Sequence, residues 1–407
     1  MKVILIENLS IMNIRIRTLS AAAVLSICFV SIALGSYSGG TGEPNSPYQI
    51  ADANDLLELA ADTNNYNKCF ILTADINMAG QVFTTAIIAA DISSSYLFQG
   101  TAFTGVFDGN SHKIANFTIS GGGNEYLGLF GYVDSGGTVK NLGLENFSVS
   151  CSDSQYLGGL VGDNDGSISN CYSTGAVSSG DTSSSIGGLA GLNTGSINNS
   201  YSTGSVSGSS GSNRIGGLVG NNYFYASISN CYSTGEVNGS NYVGGLVGSN
   251  LAYSSISYSY SIGTVSGSLS VGGLVGDNSE TITSCYFLDT SGPNNGFGTP
   301  LTDEEMKQQD SFIGWDFVCE TADGTEDIWR MCIDEVHYPL LWWQFNTADF
   351  TCPDGVDFID FATLANAWLS DSTQLNWNGR CDIAEPPDNV IDVLDLAIFA
   401  ENWLEGL

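Results

Sequence analysis

One phrase returns at a nearly fixed interval through the middle of the chain, and it constrains the fold more than any other feature. It reads GGLVGDN at Gly158, GGLAGLN at Gly187, GGLVGNN at Gly216, GGLVGSN at Gly244 and GGLVGDN at Gly272, at spacings of 29, 29, 28 and 28 residues. A second phrase follows each copy: ISNCYSTG from Ile168, INNSYSTG from Ile197, ISNCYSTG from Ile228, ISYSYSIG from Ile256 and ITSCYF from Ile282. Weaker copies stand upstream as GLFG at Gly128 and GVFDGN at Gly105. Short β-type phrases at a period in the high twenties, separated by Gly, Asn and Ser turns, predict a β-solenoid with one repeat per coil. No helical periodicity and no proline interrupts the repeats, and strands are expected at the Gly-Leu-Val and the Ile/Tyr segments.

One repeat per coil stacks equivalent residues in columns about 4.8 Å apart. One column is Asn164, Asn193, Asn222, Asn250 and Asn278, a second Tyr172, Tyr201, Tyr232, Tyr260 and Tyr286, a third Cys171, Ser200, Cys231, Ser259 and Cys285. The asparagines are expected to serve turns, because Asn tolerates turn conformations and bonds to its own backbone. All three columns read as structural ladders, since every coil carries them equally. Cys171 and Cys231 fall two coils apart, as do Cys231 and Cys285. That separation is too long for a disulfide, so the three are expected to be free, buried thiols.

The GGLVGxN and ISNCYSTGxVxG phrases together resemble the GLUG repeat of bacterial surface and adhesin-like proteins, over about residues 100–290. The resemblance implies a right-handed parallel β-helix on an exported protein, and it implies no catalytic residues. An open solenoid exposes strand edges at both ends. Leu56, Leu57, Leu59 and Ala60, on one face of a helix over 52–62, are expected to cover the first end. The capping-box start Thr302-Asp303-Glu304-Glu305 and the aromatic residues that follow it make 301–345 the expected C-terminal cap, with an exposed aromatic sugar platform as the alternative. The fold expected is thus mainly β: residues 1–35 a leader, 36–300 a capped solenoid, 301–345 the C-terminal cap, and 346–407 a small helical module.

The leader rests on Arg15 and Arg17 ahead of an apolar run from Leu19 to Leu34 and the small residues of Ala33-Leu34-Gly35. The run is short of the ~20 residues a membrane span needs, so a secreted or cell-surface protein without a membrane span after cleavage is expected. Nine cysteines then remain, an odd number, and no CxxC pair occurs. Partners for Cys69 and Cys151 stay open, Cys319 and Cys332 are placed to close an acidic stretch, and Cys352 and Cys381 to staple the C-terminal module. Ten basic against 43 acidic residues, a net charge of −33, exclude nucleic acid and anionic membrane surfaces as natural partners.

Residues 301–407 hold 23 of the 43 acidic positions, and the last sixty contain a duplication at a spacing of 35. Asp357, Asp360, Ala362, Leu364, Ala365, Trp368 and Leu369 align with Asp392, Asp395, Ala397, Phe399, Ala400, Trp403 and Leu404. Each half reads as an Asp-rich loop followed by an amphipathic helix. A twelve-residue calcium loop supplies oxygens at positions 1, 3, 5, 7, 9 and 12. Counting back from Asp360 gives Asp349, Thr351, the Gly355 carbonyl, Asp357 and Asp360, with Pro353 unable to ligate at position 5. In the second half Asp382, Asp388, the Val390 carbonyl, Asp392 and Asp395 fit once two residues near Glu385-Pro386-Pro387 are treated as inserted.

This tandem arrangement resembles a type I dockerin over residues 347–407. The resemblance implies bound Ca2+ and docking to a cohesin-like module, with recognition by the residues just before position 12, here Phe358, Ile359, Val393 and Leu394. Taken together, the expectation is a non-catalytic exported protein whose solenoid binds a polysaccharide or another cell-surface partner and whose C-terminal module docks in a calcium-dependent way. The alternative is a carbohydrate-active enzyme, a polysaccharide lyase or glycoside hydrolase, on the solenoid face. A lyase would draw on Lys68, Lys113, Lys140 and Arg214, no two of which occupy equivalent positions of neighbouring coils. A hydrolase needs two carboxylates, for which Asp163 and Asp165 offer a pair; the divergence among Asp163, Leu192, Asn221, Ser249 and Asp277 reads instead as drift at an exposed turn. His112 and His337 are isolated.

Overall fold

A computed structural model describes residues 37–93, 97–318, 327–331, 335–345, 348–350, 356, 358–371, 373–376, 378, 381–383 and 389–405. The leader expected over 1–35, Cys319, Cys332 and Cys352 lie outside them. Among the described residues no helix is long and apolar enough to cross a membrane.

The chain is mainly β and winds as a parallel solenoid. One coil passes through five short strands, Ser184–Gly187, Ala190–Asn193, Ser196–Asn198, Tyr201–Ser202 and Val206–Gly208, before the next begins at Asn213. Equivalent strands of successive coils build parallel sheets of four, six, nine, nine and seven strands. The register is one repeat per coil: Ile168, Ile197, Ile228, Ile256 and Ile282 pair in sequence, as do Tyr172, Tyr201, Tyr232, Tyr260 and Tyr286. The Ser-Ile-Ser alternation turns each of these isoleucines inward, where Leu189, Leu218, Leu246 and Leu274 join them in one continuous core.

Two asparagine columns divide the work that the sequence assigned to one. Asn164, Asn193, Asn222 and Asn250 are fully buried, and each donates its side-chain amide to the next in line, ending on Asn278, at 2.7 to 2.8 Å. The turn residues are instead Asn141, Asn170, Asn199 and Asn230, with φ from 47° to 53°. There the short polar side chain tolerates the left-handed region.

In the third column the thiol and the hydroxyl do the same thing. Cys171 Sγ donates to the Ser169 carbonyl at 3.2 Å and Ser200 Oγ to the Asn198 carbonyl at 2.7 Å, and Cys231, Ser259 and Cys285 repeat the bond. Cys171, Cys231 and Cys285 are free and buried, and burial pushes each thiol up to about 12. Alkylation at pH 8 is therefore expected to leave all three unlabelled in the native protein and to label them after denaturation. Peptide mass spectrometry reads the result, and native labelling of Cys231 would contradict the packing.

Helix α1 (Ala53–Ala61) is capped by Asp52, whose carboxylate accepts from the Asn54 and Asp55 amides. It seats Leu56 and Leu59, both fully buried, on the first end of the core, with Leu57 and Ala60 partly buried against it. The other end is closed by the chain just after the last repeat. The Pro293 carbonyl accepts from Gly273 N, Asn295 Nδ2 donates to the Val275 carbonyl at 2.8 Å, and Thr299–Leu301 pairs with Tyr286–Leu288.

The described residues of 301–345 accordingly do not form the end cap that their position suggests. They run back along the flank, over the outer face of the tyrosine column. Met306, Phe312, Trp315, Phe317, Trp329 and Leu341 are buried there against Tyr232, Tyr260 and Tyr286. Trp343 Nε1 donates to the Asn199 carbonyl at 2.9 Å and Tyr260 OH to the Pro339 carbonyl at 2.6 Å. The buried rings of this cluster are thus not a sugar platform. The tyrosines beneath stack at centroid distances of 4.8 to 5.1 Å, tilted by less than 10°.

Candidate functional site

In the C-terminal module the two halves of the duplication are packed as equivalents. Helices α2 (Phe358–Ala367) and α3 (Val393–Glu405) share a core of Phe350, Leu364, Ala367, Cys381, Ile391 and Phe399, flanked by Trp368 and Trp403. Backbone bonds from Leu369 N to the Ile391 carbonyl and from Ile391 N to the Ser370 carbonyl tie the halves together. Asp360 and Asp395 occupy the third position of their helices, and both are fully buried.

Asp395 closes the second loop. Its Oδ1 accepts from Ile383 N at 2.7 Å and its Oδ2 from Asp392 N at 2.8 Å, while Asp392 Oδ1 caps the helix by accepting from Leu394 N at 2.8 Å. Asp382 Oδ2 accepts from Asn389 N at 2.8 Å. The expected first and last ligands of this loop, Asp382 and Asp395, are thereby drawn to the same end. Val390 forms a bridge with Asp371. In the first half Asp349 is buried, and its carbonyl accepts from the Arg330 guanidinium at 2.6 Å, which fastens the module to the flank cover. Thr351, Gly355, Asp357 and Asp388 lie outside the described residues. Among the described residues no three His, Cys, Asp or Glu side chains gather closely enough to hold a metal ion.

The residues expected to meet a partner lie on the surface. Phe358, Ile359, Val393 and Leu394 are 78%, 57%, 64% and 55% exposed. Each pair opens its helix immediately before the buried aspartate, so the duplication repeats an apolar outer step beside an acidic inner one.

On the solenoid, the carboxylate pair is not an exposed turn. Asp163 stands in register between Tyr132 and Leu192, and the column continues through Asn221 and Ser249 to Asp277. Asp163 is buried, and burial, reinforced by the neighbouring Asp165 carboxylate, pushes its ionisation well above the ordinary range. Asp165 is raised by burial as well, against the opposing effect of the Tyr132 hydroxyl, which donates to its Oδ2 at 2.6 Å; Thr194 Oγ1 bonds its other oxygen. Phe98, Tyr126, Tyr132 and Tyr156 cluster beside this pair, with neighbouring ring centroids 5.0 to 6.5 Å from one another. The pair that a hydrolase would use is thus committed to contacts within the coil. The sequence does not reveal this, because Tyr126 and Tyr132 come from the preceding coil.

Four stretches, residues 153–178, 182–207, 211–238 and 239–266, match the GLUG motif. The chain is 31% identical over 148 residues to halomucin of Haloquadratum walsbyi, an alignment covering 36% of this chain and 2% of halomucin. It is 33% identical over 170 residues to a candidate Gly-rich membrane protein of Evansella cellulosilytica, covering 37% of this chain and 18% of that one. The chain therefore spans only a small part of the length of these curated relatives. A crystal structure of a candidate immunoglobulin A1 protease from Bacteroides ovatus superposes with a TM-score of 0.51 at 22% identity, covering 76% of this chain and 96% of that one, a likeness of fold. The middle of the chain is thus a run of GLUG repeats wound as a parallel β-solenoid.

Proposed function

We propose that this is a non-catalytic, exported protein of the cell surface or of a surface-associated scaffold. Its solenoid binds glycans or other cell-surface partners, and residues 346–407 form a dockerin-like module that holds Ca2+ and docks to a cohesin-type partner. The observation that carries the docking reading is the repeated step of exposed Phe358-Ile359 and Val393-Leu394 beside buried Asp360 and Asp395. The surface location is supported by the GLUG repeats and by relatives named as halomucin and as a membrane protein. The donors expected in the two loops, Asp349, Thr351, the Gly355 carbonyl, Asp357 and Asp360 in the first and Asp382, Asp388, the Val390 carbonyl, Asp392 and Asp395 in the second, are all oxygens, which suits a hard cation such as calcium. Bound calcium would neutralise the inward carboxylates and fix the loops that start both helices.

The test is binding of the full chain to immobilised type I cohesin modules, with calcium and with a chelator. Binding is expected in calcium only. Ile359→Asp combined with Leu394→Asp should weaken it by roughly 30-fold or more, the scale of losing interface anchors. Chelation should also speed amide exchange in 346–407 and leave the solenoid unchanged, because metal binding energy is folding energy in such modules. No binding to any cohesin and no response to calcium would overturn the docking reading.

A further inference from the structure

We propose that the solenoid carries a binding site for a neutral polysaccharide chain at the turn where Tyr223, Phe224, Tyr225 and Tyr253 project. The inference rests on the glycan-binding role proposed above and gives it a place. In most coils this turn is short, with the laddered Asn164, Asn193 or Asn278 followed three residues on by Ser167, Ser196 or Thr281. In two adjacent coils it is two residues longer, running from Asn222 to Ser227 and from Asn250 to Ser255.

The longer turns place aromatic rings in water. Tyr223, Phe224, Tyr225 and Tyr253 are 42%, 59%, 68% and 71% exposed. Tyr225 and Tyr253, from neighbouring coils, stack at 5.1 Å with 16° between their planes, and Phe224 meets Tyr225 edge-on at 5.3 Å. Phe224, Tyr225, Ala252 and Tyr253 hold φ of 58°, 64°, 57° and 67°, a region that bulky L-residues rarely adopt. Backbone strain that displays side chains to solvent is a mark of a binding surface.

Beside the rings lies an open trough of about 420 Å³, with Tyr225 at one side and Asp165, Gly166, Ser167, Gly195 and Ser196 along it. Ser167, Ser196 and Ser227 are paired in register, so hydroxyls repeat along the trough at the coil spacing. Planar rings offer stacking faces to the C–H side of a sugar, and the hydroxyl row offers partners to its hydroxyls. No Lys or Arg lines the trough, Asp165 does, and the chain carries −33 overall. An anionic polymer is repelled from such a surface, and a neutral one is not.

The experiment is affinity electrophoresis of the full chain through gels containing neutral polysaccharides (a β-glucan, a xylan, a mannan) or polygalacturonate, with chelator present throughout. The wild type should be retarded by at least one neutral polymer and not by polygalacturonate. Tyr225→Ala with Tyr253→Ala should weaken that retardation at least tenfold, and Tyr225→Phe with Tyr253→Phe should preserve it. An unchanged thermal unfolding curve checks that both pairs of variants fold. Retardation of the wild type that the alanine pair leaves unchanged would overturn this site and leave the glycan-binding role standing. Absence of retardation by every polymer would overturn that role itself. A wild-type dimer that the alanine pair converts to a monomer would show the rings to be a self-contact and overturn the site.

Discussion

Gly220→Ala is expected to destabilise the solenoid by about 3 kcal/mol or more, the upper range for forcing extra volume into a packed interior. Gly220 is the last glycine of its GGLVG phrase. A Cβ there would lie 2.3 Å from Ile186 N, 2.4 Å from the Ser185 carbonyl carbon and 2.7 Å from the Gly191 oxygen. All three are backbone atoms, so no side chain can swing aside, and they belong to the preceding coil. Relief requires the two coils to part, which strains the neighbouring bonds from Leu189 N and Ala190 N to the Leu218 carbonyl. Gly123→Ala is the control, because no heavy atom lies within 4 Å of its added Cβ. It should stay within about 0.5 kcal/mol of wild type. Urea unfolding followed by circular dichroism compares the two. In a solenoid whose stability is summed over neighbouring coils, the Gly220 variant should also split the transition into two. Equal midpoints for both variants would show that the corner has room for a methyl group.

What the sequence made legible follows from what repetition can encode. Equal spacing forces equivalent residues into register, so the coil, the isoleucine, tyrosine and cysteine columns and the free state of Cys171, Cys231 and Cys285 are all legible in the sequence. The role of an individual column was harder. Asn164 and Asn170 both recur through three successive coils, as Asn193 and Asn222 and as Asn199 and Asn230, and residue type alone does not separate a buried amide ladder from a left-handed turn. The flank cover was hidden for a different reason. Phe312, Trp315 and Trp329 share no period with the repeats, so nothing in their spacing shows that their partner is the outer face of Tyr232 and Tyr260 rather than an open end. Asp163 reads as an exposed turn in sequence because Tyr126 and Tyr132, which stand beside it, belong to the preceding coil and reach it only through the winding of the chain. The exposed pairs Phe358-Ile359 and Val393-Leu394 were legible through the duplication, since two apolar residues before an equivalent aspartate appear twice at one spacing.

Trp329→Ala tests whether the flank cover is a separate layer, and its expected effect is a loss of about 3–5 kcal/mol, the usual range for emptying a buried tryptophan site. Trp329 is almost fully buried, 4.3 Å from Trp315 and 5.9 Å from Tyr260 between ring centroids. Its strand, Trp329–Arg330, pairs with Leu340–Leu341 and bridges Phe317, all within the cover, and the apolar cluster around it is distinct from the solenoid core. The lost energy should therefore surface as local opening rather than global unfolding. Amides in 301–345 should exchange roughly a hundred-fold faster or more, since each 1.4 kcal/mol is tenfold, while those beside Ile197, Ile228 and Ile256 hold. The tyrosines give a second readout. Burial pushes the Tyr201 phenol up to about 12, and it raises Tyr232 and Tyr260 well above the ordinary value too. With the cover open these phenols face water and should ionise closer to the ordinary value of about 10. The absorbance change of phenolate formation should move to lower pH in the variant and stay high in the wild type. Loss of protection in the cover and the coils together would instead show that the flank layer and the solenoid unfold as one unit.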